Sequence, residues 1–298
     1  MHKNVLITGA AGQSGSEFRY LSENKFLNCI ELNSGNYIFT TREQLDIQSS
    51  KTVEKFFGEN SIDVIVNCAA YTAVDLAEKE VVKANAVNHL AVRNLAAVAK
   101  GKSIKLIHIS TDYVFNGINY KPYIESDDTS PTSVYGRSKL AGEQAMQAIN
   151  PVNSIIIRTS WVYSEFGNNF VNTMLRLGQE RSELGVVCDQ IGSPTNARDL
   201  ARVIIEIIPL LQQQLSDKVE VYHYSNLGVC SWYDFAVAIF SINKINCKVY
   251  PILSEAYPTP VQRPYYSVMD KSKINNTFGV HNLNWHDSLF LFLAGSSV

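Results

Sequence analysis

An α/β fold, built on a doubly wound parallel sheet, is predicted by three features of the sequence. Short apolar runs alternate with longer segments of helical periodicity through the first half. The first run ends in a glycine-rich turn that opens a helix, Gly9-Ala10-Ala11-Gly12-Gln13-Ser14-Gly15. Beyond about Trp161 the alternation breaks up into shorter elements. The expected organisation is a Rossmann-type dinucleotide-binding domain over residues 1–159, to which 196–224 returns. A smaller, irregular α+β substrate-binding portion then occupies 160–298.

Lys3 to Thr8 reads as a fully buried strand, and Glu17 to Leu21 has helical character after the turn. Glycines there let the backbone approach a pyrophosphate, and the helix N-terminus adds N–H groups and positive dipole. The spacing is G-x-x-G-x-x-G, and the absence of a lysine after the last glycine excludes an NTP-binding P-loop. A glycine turn without a ligand is the alternative. Tyr37 to Thr41 is the second strand. It ends in Thr41-Arg42 where an NAD-preferring fold carries an acid, and a guanidinium suits a ribose 2′-phosphate. The expected cofactor is therefore NADPH, with NADH the alternative because Glu43 competes for Arg42. In Leu45-Asp46-Ile47, Asp46 either meets an adenine amine or caps the next helix.

Ile62 to Ala70 is the third buried strand, and its small final residues, followed by Tyr71-Thr72, leave room for a ligand over the sheet edge. Ala77 to Lys100 is predicted as one long Ala-rich helix; Asn88 within it is a site residue or a buried packing amide. Lys105 to Ser110 is a strand that delivers Thr111 at its C-terminal end. Among the 15 tyrosines only Tyr135 has a lysine four residues later, Lys139, in Val134-Tyr135-Gly136-Arg137-Ser138-Lys139. On a helix the two share one face, one turn apart. A phenol titrates near ~10 in water, and an adjacent ammonium is expected to pull it toward the range of an acid–base catalyst. The alternative is a surface pair on an amphipathic helix.

The 298 residues, 46% hydrophobic and 18% charged, describe a soluble globular chain, and a net charge of −2 gives no footprint for nucleic acid. The apolar run before Gly9 is too short for a signal peptide, and Phe290-Leu291-Phe292-Leu293 is too short to span a membrane, so it reads as a buried final helix. Cys29, Cys68, Cys188, Cys230 and Cys247 are scattered, with no C-x-x-C and no Cys-His cluster. Zinc is not expected; reduced buried thiols in the cytoplasm are.

In the second half, Asn169 to Gln179 reads as a helix and Gly185 to Cys188 as a short strand. Arg198 to Leu211 is a helix that Pro209 ends or kinks. Val219 to Tyr224 is a strand returning to the main sheet, and Trp232 to Ile242 is an amphipathic helix with Ser231 as N-cap. Leu253 to Val268 is a crossing segment whose prolines make rigid turns rather than a partner motif. Together these elements are expected to cover the sheet edge where a substrate nucleotide would sit.

Read in order, several pieces resemble the extended short-chain dehydrogenase/reductase superfamily, and within it the dTDP-4-dehydrorhamnose reductase family. They are Gly12-Gln13-Ser14-Gly15, Asn67-Cys68-Ala69-Ala70-Tyr71-Thr72-Ala73-Val74-Asp75, Ser110 to Phe115, Val134 to Glu143, Arg158 to Tyr163, Asp189 to Thr195, Ala256 to Pro260 and Arg263-Pro264. The resemblance implies NAD(P)H-dependent reduction of the C4 ketone of dTDP-4-dehydro-L-rhamnose. Tyr135 would be the general acid, Lys139 would tune it and hold the nicotinamide ribose, and Thr111 would bond the carbonyl oxygen. Gly9, Gly12, Gln13, Ser14, Gly15, Arg42, Asp46, Ile47, Ala69, Ala70, Tyr71 and Thr72 would contact the dinucleotide. Thr111, Asp112, Trp161 and Arg263 would contact the sugar nucleotide. Dehydratases of this superfamily resemble Thr-Asp-Glu at the strand end; here Tyr113 follows Thr111-Asp112, which favours reduction over water elimination. Some relatives use Mg²⁺ at a dimer contact, which makes a homodimer an expectation, but no acid cluster with ligand spacing supports the metal. The competing readings are another sugar-nucleotide reductase or epimerase, and a non-catalytic NADP-binding subunit resembling the methionine adenosyltransferase regulatory subunit.

Overall fold

A computed structural model describes residues 3–24, 35–211 and 216–295, so Cys29 lies outside the described residues. The first half runs β1 (Lys3–Thr8), α1 (Gln13–Glu23), β2 (Gly35–Thr40), α2 (Ser50–Glu59), β3 (Val64–Asn67), α3 (Val74–Ala77), α4 (Val81–Asn85), a π-helical turn (Ala86–Leu90), α5 (Ala91–Gly101), β4 (Lys105–Thr111), α6 (Val134–Ile149) and β5 (Ile155–Thr159). The second half runs β6 (Val162–Tyr163), α7 (Phe170–Glu180), β7 (Glu183–Val187), β8 (Ile191–Gly192), β9 (Thr195–Asn196), α8 (Ala197–Leu210), β10 (Glu220–His223), β11 (Cys230–Ser231), α9 (Trp232–Asn243), β12 (Lys248–Ile252), α10 (Ser272–Phe278) and α11 (Trp285–Leu293).

Six strands form one parallel sheet in the order β10-β5-β4-β3-β1-β2. Every residue of β3 and β5 is buried, as strands covered on both faces require. Alternation along the strands divides the core into two layers. Val5, Ile7, Val64 and Val66 face α1 and α8 through Phe18, Leu200 and Ile204. Leu6, Ile65 and Leu106 face α2 and α5 through Val53, Phe57, Val92 and Leu95. β1 has β2 on one side and β3 on the other, so the chain crosses to opposite sides of β1 in its first two connections. That switch opens a crevice beyond the C-terminal ends of β1 and β3, where open α/β sheets take ligands.

The returning strand is β10, which pairs with β5 as expected, and α8 ahead of it packs on the main sheet. A third apolar cluster joins α7, α9 and α11. Ser231 caps α9 in a full capping box with Asp234. Two expectations, on the helix over 77–100 and on the final helix, are corrected. The helix over 77–100 is interrupted near Glu78–Glu80, where Glu78 accepts the Val134 N–H at 2.7 Å, and again by the π-helical turn. Pro209 lies in the last turn of α8, which ends at Leu210, in line with the expectation that this proline stops the helix. In α11 the apolar run is only partly buried: Leu289 is enclosed, but Phe290 is 53% exposed. No helix among the described residues is long and apolar enough to cross a membrane.

Candidate active site

The glycine turn after β1 is closed by close packing. Gly9 has φ +67°, and a Cβ on Gly15 would sit 2.4 Å from the Gly9 carbonyl oxygen. Gly12 is the N-cap of α1 and offers no side-chain acceptor, so the first N–H groups of the helix are left to a ligand. This cradle fits a dinucleotide pyrophosphate. It opens into a cavity of about 1110 Å³, whose wall includes Gly12, Gln13, Ser14, Ala70 and Thr72.

Thr111 ends β4 and caps a single 3-10 turn (Asp112–Val114). The catalytic-helix candidate α6 starts against that turn. Ser133 caps it by accepting the Gly136 N–H at 3.0 Å. A Cβ on Gly136 would lie 2.3 Å from the Tyr113 carbonyl oxygen, so a larger residue there would push Tyr135 away from β4. The result brings Thr111, Asp112, Tyr135 and Lys139 together on the cavity wall. The Thr111 hydroxyl lies close enough to the Tyr135 phenol to favour its ionised form, and the Tyr135 ring meets Tyr113 edge-on at 5.5 Å. Thr111 also donates to Asp112 Oδ1 at 2.9 Å.

The charge states differ from the expectation in one respect. Burial pushes the Tyr135 phenol up to about 12, against the help of the Thr111 hydroxyl, with the Asp112 charge adding to the rise. Lys139 Nζ donates to the Ile109 carbonyl at 2.6 Å. Burial brings Lys139 itself down to about 8, with Glu143 and Cys68 opposing. Asp112 is raised by burial to about 6, opposed by the nearby hydroxyls of Thr111 and Ser267.

The other expected residues divide into two groups. Trp161 and Arg263 line the cavity. Trp161 has φ +49°, a rare conformation for a large side chain, and stacks on Trp232 with ring centroids 3.5 Å apart. Arg263 is ion-paired with Asp75. In contrast, Gly9, Gly15, Arg42, Asp46, Ile47, Ala69 and Tyr71 are absent from the cavity wall. Arg42 is exposed, and Glu43 accepts from the Thr41 hydroxyl at 2.7 Å. Asp46 does not cap α2; it accepts the Gln48 N–H, and Ser49 is the cap. Ile47 is in the core. Tyr71 packs its ring in a cluster with Tyr135 and donates to Glu80 at 2.9 Å. Its backbone N–H and carbonyl are both bonded by Asn88, which also donates to Ser138 on α6. Asn88 is thus the buried packing amide of the two readings, and it ties the strand-end loop to the helix carrying Tyr135.

Sequence reasoning missed Asp75, Trp232 and the buried His108, the last of which is visible as an imidazole set among Leu106, Ile107 and Ile109. It also missed a bidentate pair, Arg158–Glu143, enclosed beneath α6.

A glycine-cradled helix at the switch of a doubly wound sheet, faced by a tyrosine and a lysine from one helix, defines the short-chain dehydrogenase/reductase class. The comparisons narrow this. The family model described as the RmlD substrate binding domain matches residues 3–297, and the chain belongs to that family. The spore coat polysaccharide biosynthesis protein SpsK of Bacillus subtilis is 38% identical over 295 residues, 98% of each chain. The dTDP-4-dehydrorhamnose reductase of Sinorhizobium fredii is 44% identical over 252 residues, covering 83% of this chain and 85% of that one. The crystal structure of dTDP-4-dehydrorhamnose reductase from Bacillus anthracis, in complex with NADP, superposes with a TM-score of 0.89 at 37% identity, covering 99% of this chain and 100% of that one.

Proposed function

We propose that the protein is an NADPH-dependent dTDP-4-dehydrorhamnose reductase, converting the C4 ketone of dTDP-4-dehydro-L-rhamnose to the alcohol of dTDP-L-rhamnose. The observation that carries the chemistry is the meeting of Thr111 and Tyr135 on the cavity wall. The relatives named above, matched along most of the chain, support the substrate class.

The bound dinucleotide supplies the hydride. Tyr135, with its phenol at about 12, stays protonated near neutrality and gives its proton to the C4 oxygen as charge develops there. A high value suits reduction, since an acid must hold its proton until the alkoxide forms. Thr111 turns its hydroxyl from Asp112 to that oxygen and shares the charge. Asp112, Trp161 and Arg263 border the sugar nucleotide, and Gly12, Gln13, Ser14, Ala70 and Thr72 hold the dinucleotide. Arg42, exposed after β2, meets the 2′-phosphate. On this reading residues 1–159 with 196–224 form the dinucleotide half and the remainder of 160–298 the substrate half. The free thiols Cys68, Cys188, Cys230 and Cys247 support work in the reducing cytoplasm. A homodimer is the assembly we propose, measurable by analytical ultracentrifugation.

The test is to mix the purified protein with NADPH and dTDP-4-dehydro-L-rhamnose and to follow the absorbance of the reduced nicotinamide. Oxidation tied to dTDP-L-rhamnose formation is expected. NADPH binding without turnover would leave the regulatory-subunit reading, and turnover only with another nucleotide sugar would leave a sister reductase.

A further inference from the structure

His108 lies at the centre of β4, fully enclosed, and the reductase reading gives it no role. Its Nδ1 is 3.0 Å from the Asn67 amide nitrogen, and its Nε2 is 3.4 Å from Lys139 Nζ. Which ring nitrogen carries hydrogen follows from Asn67. The Asn67 side-chain oxygen accepts the Ala69 backbone N–H at 3.2 Å and the Thr8 hydroxyl at 2.7 Å. A backbone N–H can only donate, so the oxygen is fixed on that side and the NH₂ faces the imidazole. Nδ1 must therefore accept, and a neutral ring then carries its hydrogen on Nε2. Burial and the Lys139 charge both oppose the imidazolium, so the ring is neutral.

We propose that Asn67 locks His108 in its Nε2–H tautomer, and that this N–H, aimed at Lys139 Nζ, makes His108 a positioning residue that favours the amine form of Lys139. The reason is donor counting. An ammonium has only donors and gains nothing from Nε2–H, whereas an amine offers it a lone pair. The Ile109 carbonyl accepts from Nζ in both forms. Glu143, one turn further along α6, and Cys68, after β3, are the other titratable groups felt by Lys139, and both favour the ammonium. Burial opposes them by lowering Lys139 toward neutrality, and His108 adds to that side of the balance. A Lys139 ammonium that gives up a proton when the Tyr135 phenolate is restored becomes the amine whose lone pair Nε2–H binds.

Two arms test the proposal. In the first, ¹⁵N-histidine spectra of the ligand-free protein, assigned against His108→Leu, are recorded from pH 5 to 9. One imidazole with hydrogen on Nε2 and a bare Nδ1, untitrated across the range, is expected. A His108 signal showing Nδ1–H, or titrating to the cation in that range, would overturn the idea whatever the enzyme's substrate proves to be. The second arm rests on the reductase reading and compares kcat against pH. His108→Leu removes the donor. Asn67→Asp accepts from Nδ1–H instead and turns Nε2 into an acceptor for the ammonium. Both should move the basic limb of the profile up by roughly one pH unit or more. A drop in kcat or Tm with an unmoved limb in both variants would reduce His108 to sheet packing. Absence of reductase turnover in the unaltered protein would count against the proposed function alone, because the spectra still decide the tautomer.

Discussion

Asn169 donates to Gln13 Oε1 at 3.0 Å, joining the N-cap of α7 to the first residue of α1. The substrate side of the cavity is thereby fastened to the glycine turn, and the same asparagine accepts the Asn172 N–H to start its helix. Asn169→Ala removes both bonds. We expect NADPH affinity to fall about 3- to 10-fold, from ~0.5–1.5 kcal/mol for one hydrogen bond, and stability to fall by about 1 kcal/mol for the lost cap. Isothermal titration and urea unfolding check the two separately; unchanged NADPH affinity would show that the two halves bind independently.

Tyr135→Phe should lower kcat by roughly 10²–10⁴, the range for a removed general acid, while leaving NADPH affinity within about 3-fold. Thr111→Val should lower kcat by a smaller factor of about 10²–10³, as for the loss of one oxyanion donor. Single-turnover kinetics separates these losses from product release. A Tyr135→Phe enzyme of normal rate would mean that the proton comes from elsewhere.

Arg42 bears on cofactor choice. Arg42→Ala should raise KM for NADPH about 10-fold, roughly the 1.5–3 kcal/mol of a charged hydrogen bond less its solvent screening, with KM for NADH nearly constant. Steady-state kinetics with both dinucleotides decides it, and equal losses would remove Arg42 from the 2′-phosphate site.

The Asp112 carboxyl, at about 6, lies above the usual carboxylate value near ~3.9. The folded chain therefore holds that proton more tightly than the unfolded chain. Its contribution to stability is greatest at low pH and is lost as pH rises through about 6. Asp112→Asn should abolish this dependence, so that between pH 4 and pH 7 the variant gains on the unaltered protein by up to about 3 kcal/mol. Chemical unfolding at the two pH values reads the difference; parallel curves would show that Asp112 stays ionised in the fold.

The pair Arg158–Glu143 is enclosed on both sides, at 5% and 1% side-chain exposure. Glu143→Gln leaves a guanidinium in the interior without its counter-charge, and we expect a loss of about 3–5 kcal/mol. A thermal melt within a degree of the unaltered protein would refute it.

The parts of the fold legible in the sequence were those written in local pattern. β1 with its glycine turn, the strand carrying Thr111, and the Ser231 cap of α9 follow from apolar runs and cap residues alone. The pairing of Tyr135 with Lys139 on one face followed from helical spacing. What they do electrostatically did not, because the phenol's proton affinity is set by enclosure and the lysine's direction by a carbonyl on another element. The break in the 77–100 helix was hidden for the same reason. Ala-rich periodicity favours one continuous helix, and only the contacts of Glu78 with α6 and of Asn88 with Tyr71 interrupt it. Trp161 was found by its neighbours in sequence, whereas its stacking partner Trp232 sits in a stretch whose periodicity reads simply as an apolar helix face.

That stack has an optical consequence. Trp161 and Trp232 are two of the three tryptophans in the chain, and their indole rings lie nearly parallel, 8° apart in plane. Transition dipoles so close together couple, so the circular dichroism of the indole bands should carry a paired signal of opposite signs. Both rings belong to the cavity wall, and a sugar nucleotide entering it would perturb that signal without any label.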